Sequence, residues 1–340
     1  MSASGPDLVE SDVERSATGA GPWLRRLVLS PQFALVVVMI LFVAFGATQS
    51  DQFLKVGTWI NILRNAVFIA IVASFTTFVF VSGGLDLSVG SLFAVGAMAS
   101  AGLLYAGWPV LPAVLVGSGV GALAGCVNGV LINYYGIPPF ITTLGMLYAA
   151  RSLVVYFTGG QPIAPLPDSF SAIARAQFLG LPLLLYYAAA VVILAQLLLQ
   201  TTVFGDAVRA IGGNREAASN AGINVRAVST VVYTLSGLSA AFAGVLMSAR
   251  LGSGQPSIGV AFELQVISAV IIGGTSLFGG IGSVVGSLLG SLILSILTTG
   301  LILLRIDPVL QDFVIGVIIV VAVGVDQLRR RRMFRSVGLR

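Results

Sequence analysis

Residues 87–150 read LSVGSLFAVGAMASAGLLYAGWPVLPAVLVGSGVGALAGCVNGVLINYYGIPPFITTLGMLYAA, 64 positions without one Asp, Glu, Lys or Arg. An apolar helix crosses about 30 Å of hydrocarbon in roughly 20 residues, so this run has room for three crossings. It is punctuated twice, at Gly107-Trp108-Pro109 and at Tyr135-Gly136-Ile137-Pro138-Pro139. Glycine and proline are the residues that end helices and start turns. Three helices joined by two tight turns, with nothing charged to meet water, define an all-α, polytopic membrane protein.

Charge-free runs continue on both sides. Phe33–Gln49 and Ala66–Leu85 precede the central stretch, and Ala176–Gly205 and Ala227–Ala249 follow it. Leu264–Leu304 is long enough for two spans, with a hinge at Phe278-Gly279-Gly280-Ile281-Gly282, and Pro308–Val325 closes the set. About ten transmembrane helices result. The transmembrane domain covers 31–326, between a polar tail at 1–30 and a basic tail at 327–340. The first tail is Gly/Ser-rich and acidic and reads as disordered. It is not a cleavable signal peptide, because the apolar run after Arg25-Arg26 is too long and no small-residue cleavage site follows.

The whole chain agrees. It has 340 residues, 57% of them hydrophobic and 9% charged, and a mean hydropathy of +1.01. A soluble protein carries about 25% charged residues. Histidine is absent, which excludes His-ligated metal and a Ser/His/Asp triad. Cys126 stands alone, so no intrachain disulfide forms. Lys55 is the single lysine and follows no glycine loop, so the phosphate-cradling G-x-x-x-x-G-K-[ST] motif is missing.

An even number of spans puts both termini on one side. Arg15, Arg25, Arg26, Arg209, Arg215, Arg226 and the six arginines from Arg329 to Arg340 fall on one face, 12 of 18 basic residues. Lys55, Arg64, Arg175, Arg250 and Arg305 fall on the other. The positive-inside rule makes the first face cytoplasmic, with both termini there. The run Arg329–Arg332 is a topology signal beside anionic lipid rather than a nucleic-acid site.

Several polar residues stand out. Asp86 is the only charge between Arg64 and Arg151, in the glycine-rich break Ser82-Gly83-Gly84-Leu85-Asp86-Leu87-Ser88. Irregular backbone at membrane depth is tolerated where protein buries it or a wet cavity touches it. Asp86 or Ser88 therefore either caps the next helix or lines a solute path. Asn128, Phe140, Thr142 and Thr143 are candidates for the same path, the hydroxyls and amide having bonds to neighbouring backbone as their alternative. Arg151 lies inside the fifth span and needs a partner. Glu263 starts the eighth span at the outer face, where a helix N-terminus favours a carboxylate. The inside loop, about 205–226, holds Asn214, Glu216, Ala217, Ala218 and Gly222. Its middle has helical propensity, and Gly222 is a helix stop. Such a short helix outside the bilayer can be an ordinary connector or can dock another protein.

Taken in order, Ser82–Ser91, Pro138–Gly145, Thr158–Ile163, Gly212–Val225, Ser236-Gly237, Leu251–Pro256, Glu263-Leu264 and Ile271–Ser283 resemble the membrane-spanning permease subunits of ABC-type importers of the ribose/xylose/arabinose group. The resemblance covers about residues 60–326. It implies one half of a dimeric pore, formed with a second copy or a closely related permease. It also implies cytoplasmic ATPase subunits and an extracytoplasmic sugar-binding protein. On this resemblance the loop around Glu216 and Gly222 is the coupling helix, ATP is used by the partner subunits, and this chain binds no cofactor and performs no catalysis. Gln265 departs from the family, which often has an acidic residue after Glu-Leu. The implied mechanism is alternating access with a monosaccharide as cargo. Nucleosides or branched-chain amino acids are the alternative cargo. An ion-coupled carrier is a further alternative, opposed by the placing of Asp86, Glu263 and Asp312 near span ends. A membrane enzyme would need clustered acids and bases that the chain lacks.

Overall fold

The computed structural model describes residues 31–307 and, beyond them, 310, 313, 314, 316 and 317. The expected tails, Asp312 and most of the expected closing span lie outside the described residues.

The described chain is helical almost throughout. In order come α1 (Pro31–Gln49), a 3-10 turn (Asp51–Leu54), α2 (Val56–Val81), α3 (Val89–Tyr105), α4 (Val110–Asn133) and α5 (Pro139–Thr158). Then follow α6 (Asp168–Arg175), a two-stranded hairpin of β1 (Gln177–Phe178) and β2 (Leu181–Pro182), and α7 (Leu183–Thr201). After these come α8 (Val203–Gly213), α9 (Arg215–Asn220), α10 (Val225–Leu251), α11 (Phe262–Ile272) and α12 (Val284–Leu303). Among the described residues six helices are long and apolar enough to cross a membrane: α2, α4, α5, α7, α10 and α12. The helices α3 and α11 are apolar but shorter.

The breaks follow local chemistry. Gly107 takes a left-handed φ of 83° between α3 and α4, and Pro109 precedes α4 without needing an amide donor. Pro139 occupies the first turn of α5, where a missing N–H costs nothing. The run expected as one span over 176–205 starts instead with the hairpin. Pro182 precedes α7, and the Thr202 hydroxyl accepts from the Gly205 amide to begin α8.

Two similar units run in opposite directions. In the first, long α2 is followed by an irregular segment, short α3 and long α4. In the second, long α10 is followed by an irregular segment, short α11 and long α12. Arg250 near the end of α10 donates to the Arg64 carbonyl near the start of α2 at 3.4 Å. Tyr233 near the start of α10 donates to Leu85 just past the end of α2, also at 3.4 Å. The two long helices are therefore antiparallel, and the units are inverted. Each packs on the other: α10 lies against α3 and α4, and α2 against α11 and α12. The two ends of the bundle are named below by Arg215 and Arg250.

Apolar burial does not drive helix association inside a bilayer, so close backbone approach and buried polar bonds must. Gly96 lies on the Ala241 backbone and Gly244 on the Phe93 carbonyl, so that a Cβ at either position would collide with main chain. The Thr77 and Ser287 hydroxyls, both buried, bond at 2.7 Å between α2 and α12. The helix α2 is buried at every position from Ala66 to Val81. In contrast α4, α5 and α7 expose Leu111, Leu123, Tyr148, Tyr156 and Leu194, side chains suited to lipid or to another subunit.

This packing makes a direct prediction. Gly244→Val drives a side chain into the α3 backbone and should destabilise by at least the 1–3 kcal/mol typical of overpacking. Gly119→Ala, where a Cβ meets nothing within 4 Å, should stay within about 0.5 kcal/mol of wild type. Thermal unfolding of the detergent-purified chain, followed by loss of the monodisperse size-exclusion peak, measures both.

Candidate functional site

The break between α2 and α3 is held by a knot of side chains from three elements. Gly83 turns with φ of 78°, and the chain has no regular structure from Gly84 to Leu87. One oxygen of the Asp86 carboxylate, Oδ1, accepts from the Ser88 amide at 2.9 Å and from the Ser88 hydroxyl at 2.6 Å. The other, Oδ2, accepts from the Ser236 hydroxyl of α10 at 2.8 Å. Asn128 of α4 donates through Nδ2 to the Ser88 oxygen at 3.0 Å. Asp86, Ser88, Asn128 and Ser236 are all fully buried. Asn128 Oδ1 has no hydrogen-bond partner among the described residues. The one ion pair among the described residues joins Arg209 to Asp206, so Asp86 is held by hydrogen-bond donors rather than by a cation.

The depth of this knot corrects the sequence reading. Ser236 is residue 12 of the 27 in α10, about 17 Å along the helix at 1.5 Å per residue. Asp86 thus sits near mid-span, not near a span end. The capping expectation is not met: Ser88 precedes α3 and makes no side-chain cap bond, and Asp86 accepts the amide of Ser88 itself rather than one of the helix.

A second knot holds the break between α10 and α11. Arg151 of α5 donates through Nη1 to the Pro256 carbonyl at 2.9 Å and the Ile258 carbonyl at 2.7 Å, and through Nη2 to the Gly90 carbonyl at 3.3 Å. Gly259 and Gly90 meet backbone to backbone, and the Glu263 carboxylate fills the space a Gly90 side chain would need. Glu263 also interacts electrostatically with Arg151. The outer-face placing of Glu263 is therefore corrected as well. The chain turns back inward after α10, and α11 begins deep inside, beside the start of α3. Depth near span ends no longer argues against ion coupling, since both carboxylates lie deep.

The remaining candidates divide. Thr142 and Thr143 are buried and donate to Pro138 and Pro139, carbonyls one turn back at 3.3 and 2.9 Å. Phe140 is 53% exposed at the start of α5. The threonine hydroxyls bond to neither knot. The helix expected around Glu216–Ala218 runs Arg215–Asn220 as α9. Asn214 caps it by accepting from the Ala217 amide at 2.9 Å, and Gly222 leaves it with φ of 86°. Ala218 is buried, while Asn214, Glu216, Ala217 and Gly222 are exposed.

At the Arg215 end, α9 and the α4–α5 turn enclose a cleft of about 930 Å³, lined among others by Asn133, Pro138, Arg215, Glu216, Asn224 and Arg226. Arg215 Nη2 donates to Asn133 Oδ1 at 2.7 Å. The Arg226 guanidinium lies 5.7 Å from the centre of the Tyr134 ring. Sequence reasoning passed over Asn133 and the carbonyl partners of Arg151, and read Arg215 only as a topology signal. Backbone acceptors carry no sequence signal, and an amide at a helix end is unremarkable alone. Ser236 did carry one, as a hydroxyl in an apolar run.

Against known proteins, the family described as "Branched-chain amino acid transport system / permease component" matches residues 58–323. The ribose import permease protein RbsC of Bacillus subtilis (strain 168) is 37% identical over 301 residues, covering 88% of this chain and 92% of the relative. The fructose import permease protein FrcC of Rhizobium meliloti is 35% identical over 306 residues, 87% of this chain and 85% of the relative. The galactose/methyl galactoside import permease protein MglC of Escherichia coli (strain K12) is 34% identical over 317 residues, 88% and 94% respectively. No solved structure matches the chain.

The first knot predicts a graded set of variants. Asp86→Ala leaves three buried donors without their acceptor, at about 1–3 kcal/mol each, and should abolish recovery of folded protein. Ser236→Ala removes one donor and should cost about 1.5–3 kcal/mol. Asp86→Asn keeps the shape and should fall between them. Folded yield and unfolding midpoint in detergent check the order, and an Asp86→Ala protein as stable as wild type contradicts it.

Proposed function

The chain belongs to this family of transport-system permease components, and from that premise we propose that it carries a monosaccharide, a pentose or hexose, for a binding-protein-dependent ABC importer. The observation that carries the cargo assignment is that relatives named for ribose, fructose and galactose import each match about seven-eighths of the chain. The family's own description names branched-chain amino acids, and such amino acids are the second reading. The individual relatives weigh more, because they are 34% to 37% identical to this chain over 85% to 94% of their own length.

The proposed subunit has ten passes: the six long helices, α1, α3, α11 and the closing segment 308–325. Both termini and the Arg215 end face the cytoplasm of a cell bounded by this inner, or plasma, membrane, as the arginine asymmetry supports. Two permease halves, identical or closely related, form the pore. Separate ATPase subunits meet α9 through the exposed Asn214, Glu216, Ala217 and Gly222, while the buried Ala218 seats the helix on Ile211 and Val225, and an extracytoplasmic sugar-binding protein delivers the cargo. Exposed, capped and bounded by Gly222, α9 has the form of a docking helix. ATP is then consumed by the partners, and this chain transports without enzymatic chemistry of its own. Asp86, Ser88, Asn128, Phe140, Thr142, Thr143 and Glu263 belong to the region around the path. The buried members act on its shape, and Phe140, exposed at the start of α5, is the proposed gate.

The chain in lipid nanodiscs should hydrolyse no ATP alone, and should do so when co-purified with its ATPase subunits. Sugar-loaded binding protein should raise the rate several-fold. Glu216→Ala with Gly222→Val should cut ATPase association at least tenfold. Uptake of labelled ribose, fructose, galactose and leucine into proteoliposomes distinguishes the two cargo readings. Uptake driven by an ion gradient with no ATPase bound would overturn both.

A further inference from the structure

The helix α5 is anchored to the rest of the protein in an unusual way. Of its 20 residues only Thr142, Thr143, Ala150 and Val154 are buried, and both threonine hydroxyls bond within their own helix. Packing alone holds it weakly. Its firm polar attachments are at two places. At mid-helix, Arg151 reaches three carbonyls that belong to both inverted units, Gly90 in one and Pro256 and Ile258 in the other. At its Arg215 end, α5 follows the turn 134–138 from Asn133, the last residue of α4, which accepts from Arg215, the first residue of α9, at 2.7 Å and donates to the Gly129 carbonyl of α4 at 2.8 Å. Arg226 over Tyr134 makes a second contact to the same turn.

We infer that α5 is the lever that carries movement of α9 to the meeting point of the two half-length helices, with Asn133, where α4 hands over to the turn into α5, and Arg151, in the middle of α5, as positioning residues. The inference rests on the reading that α9 meets an ATPase. Its physical content is a contiguous chain: the α9 arginine, the Asn133 amide at the end of α4, the short turn 134–138, a rigid helix, and a guanidinium on the start of α3 and on the segment 256–258 that precedes α11. A guanidinium suits the inner end because its fixed fork bonds several acceptors at once, which a lysine ammonium on a flexible stem does less well. A helix with few packed neighbours suits the middle, because it can tilt without breaking a core. Spatial order alone does not establish transmission, so the test must read coupling.

The test uses the assembled complex of this chain, its ATPase subunits and the binding protein, in proteoliposomes. It measures sugar uptake per ATP hydrolysed, using ribose, fructose and galactose. Asn133→Leu should leave ATPase association and basal hydrolysis within about twofold of wild type and lower uptake per ATP at least tenfold. Asn133→Asp, which still accepts from Arg215, should retain most of the coupling. Arg151→Met should uncouple to the same extent, and Arg151→Lys should recover only part. Because the two positions act in series, the double variant Asn133→Leu/Arg151→Met should be no worse than the poorer single variant. Should Arg151→Met fail to accumulate, the Asn133 pair, which leaves the membrane interior untouched, decides alone. Wild-type uptake per ATP in Asn133→Leu, or equal loss in Asn133→Leu and Asn133→Asp, overturns the lever. A wild-type chain that neither binds an ATPase nor moves any of the sugars overturns the permease reading, and the lever with it.

Discussion

The Asp86 carboxylate, receiving an amide and two hydroxyls in the middle of the bundle, answers a constraint that the bilayer sets. Where a chain leaves helix geometry at membrane depth, its freed backbone groups have no water to bond. This chain does so twice, between α2 and α3 and between α10 and α11. At the first break the need is for an acceptor, and an anion supplies it. At the second the need is for a donor, and Arg151 supplies it to the Pro256 and Ile258 carbonyls. The two charges lie among backbone dipoles rather than against each other. That arrangement explains how so few charges suffice inside so large an apolar body.

The inverted units depend on those breaks. A half-length helix can begin at mid-depth only if its start is covered, and each start is covered by the other unit: Gly90 of α3 by Gly259, and Asp86 by Ser236. The glycines are part of the same solution. Contact between main chains, as at Gly96 on Ala241 and Gly286 on Gly273, places helices closer than any side chain would allow.

Much of this was legible in the sequence, and the boundary is physical. Charge-free length and the Gly/Pro clusters at 107–109, 135–139 and 278–282 gave the helices and their breaks, because those residues act through local backbone conformation. The short helix over Arg215–Asn220 was readable from Glu216-Ala217-Ala218 and Gly222 for the same reason. Depth was not readable. Asp86 and Glu263 lie at the ends of apolar runs, and hydropathy treats the end of a run as the edge of a membrane. It has no means of registering a chain that turns back inside. The partners of Arg151 were hidden because carbonyls exist at every residue. The helix α6 was missed because a search for charge-free runs passes over a short amphipathic helix bounded by Asp168 and Arg175, with Phe170, Ser171 and Ala174 buried, and the hairpin because it lies at the start of an apolar run; the segment ahead of α6 is held to α10 by contacts such as the Leu166 amide on the Gly252 carbonyl at 3.0 Å.

The placing of the bonds also says where such a molecule can bend. Hydrogen bonds to charged groups are worth about 1.5–3 kcal/mol each, and six of them concentrate at the two knots. A rearrangement that broke both would forfeit most of the free energy that keeps a typical domain folded, about 5–15 kcal/mol. The knots must therefore move as rigid pieces. Motion is cheap where a segment is exposed and few contacts hold it. The turn 134–138 is such a place: Tyr134, Tyr135, Gly136 and Pro138 are exposed, and Gly136 takes a φ of 73°. It flanks the end of α5 nearest to α9. A push delivered at that end thus meets a soft joint first and rigid knots second, which is the order a lever requires.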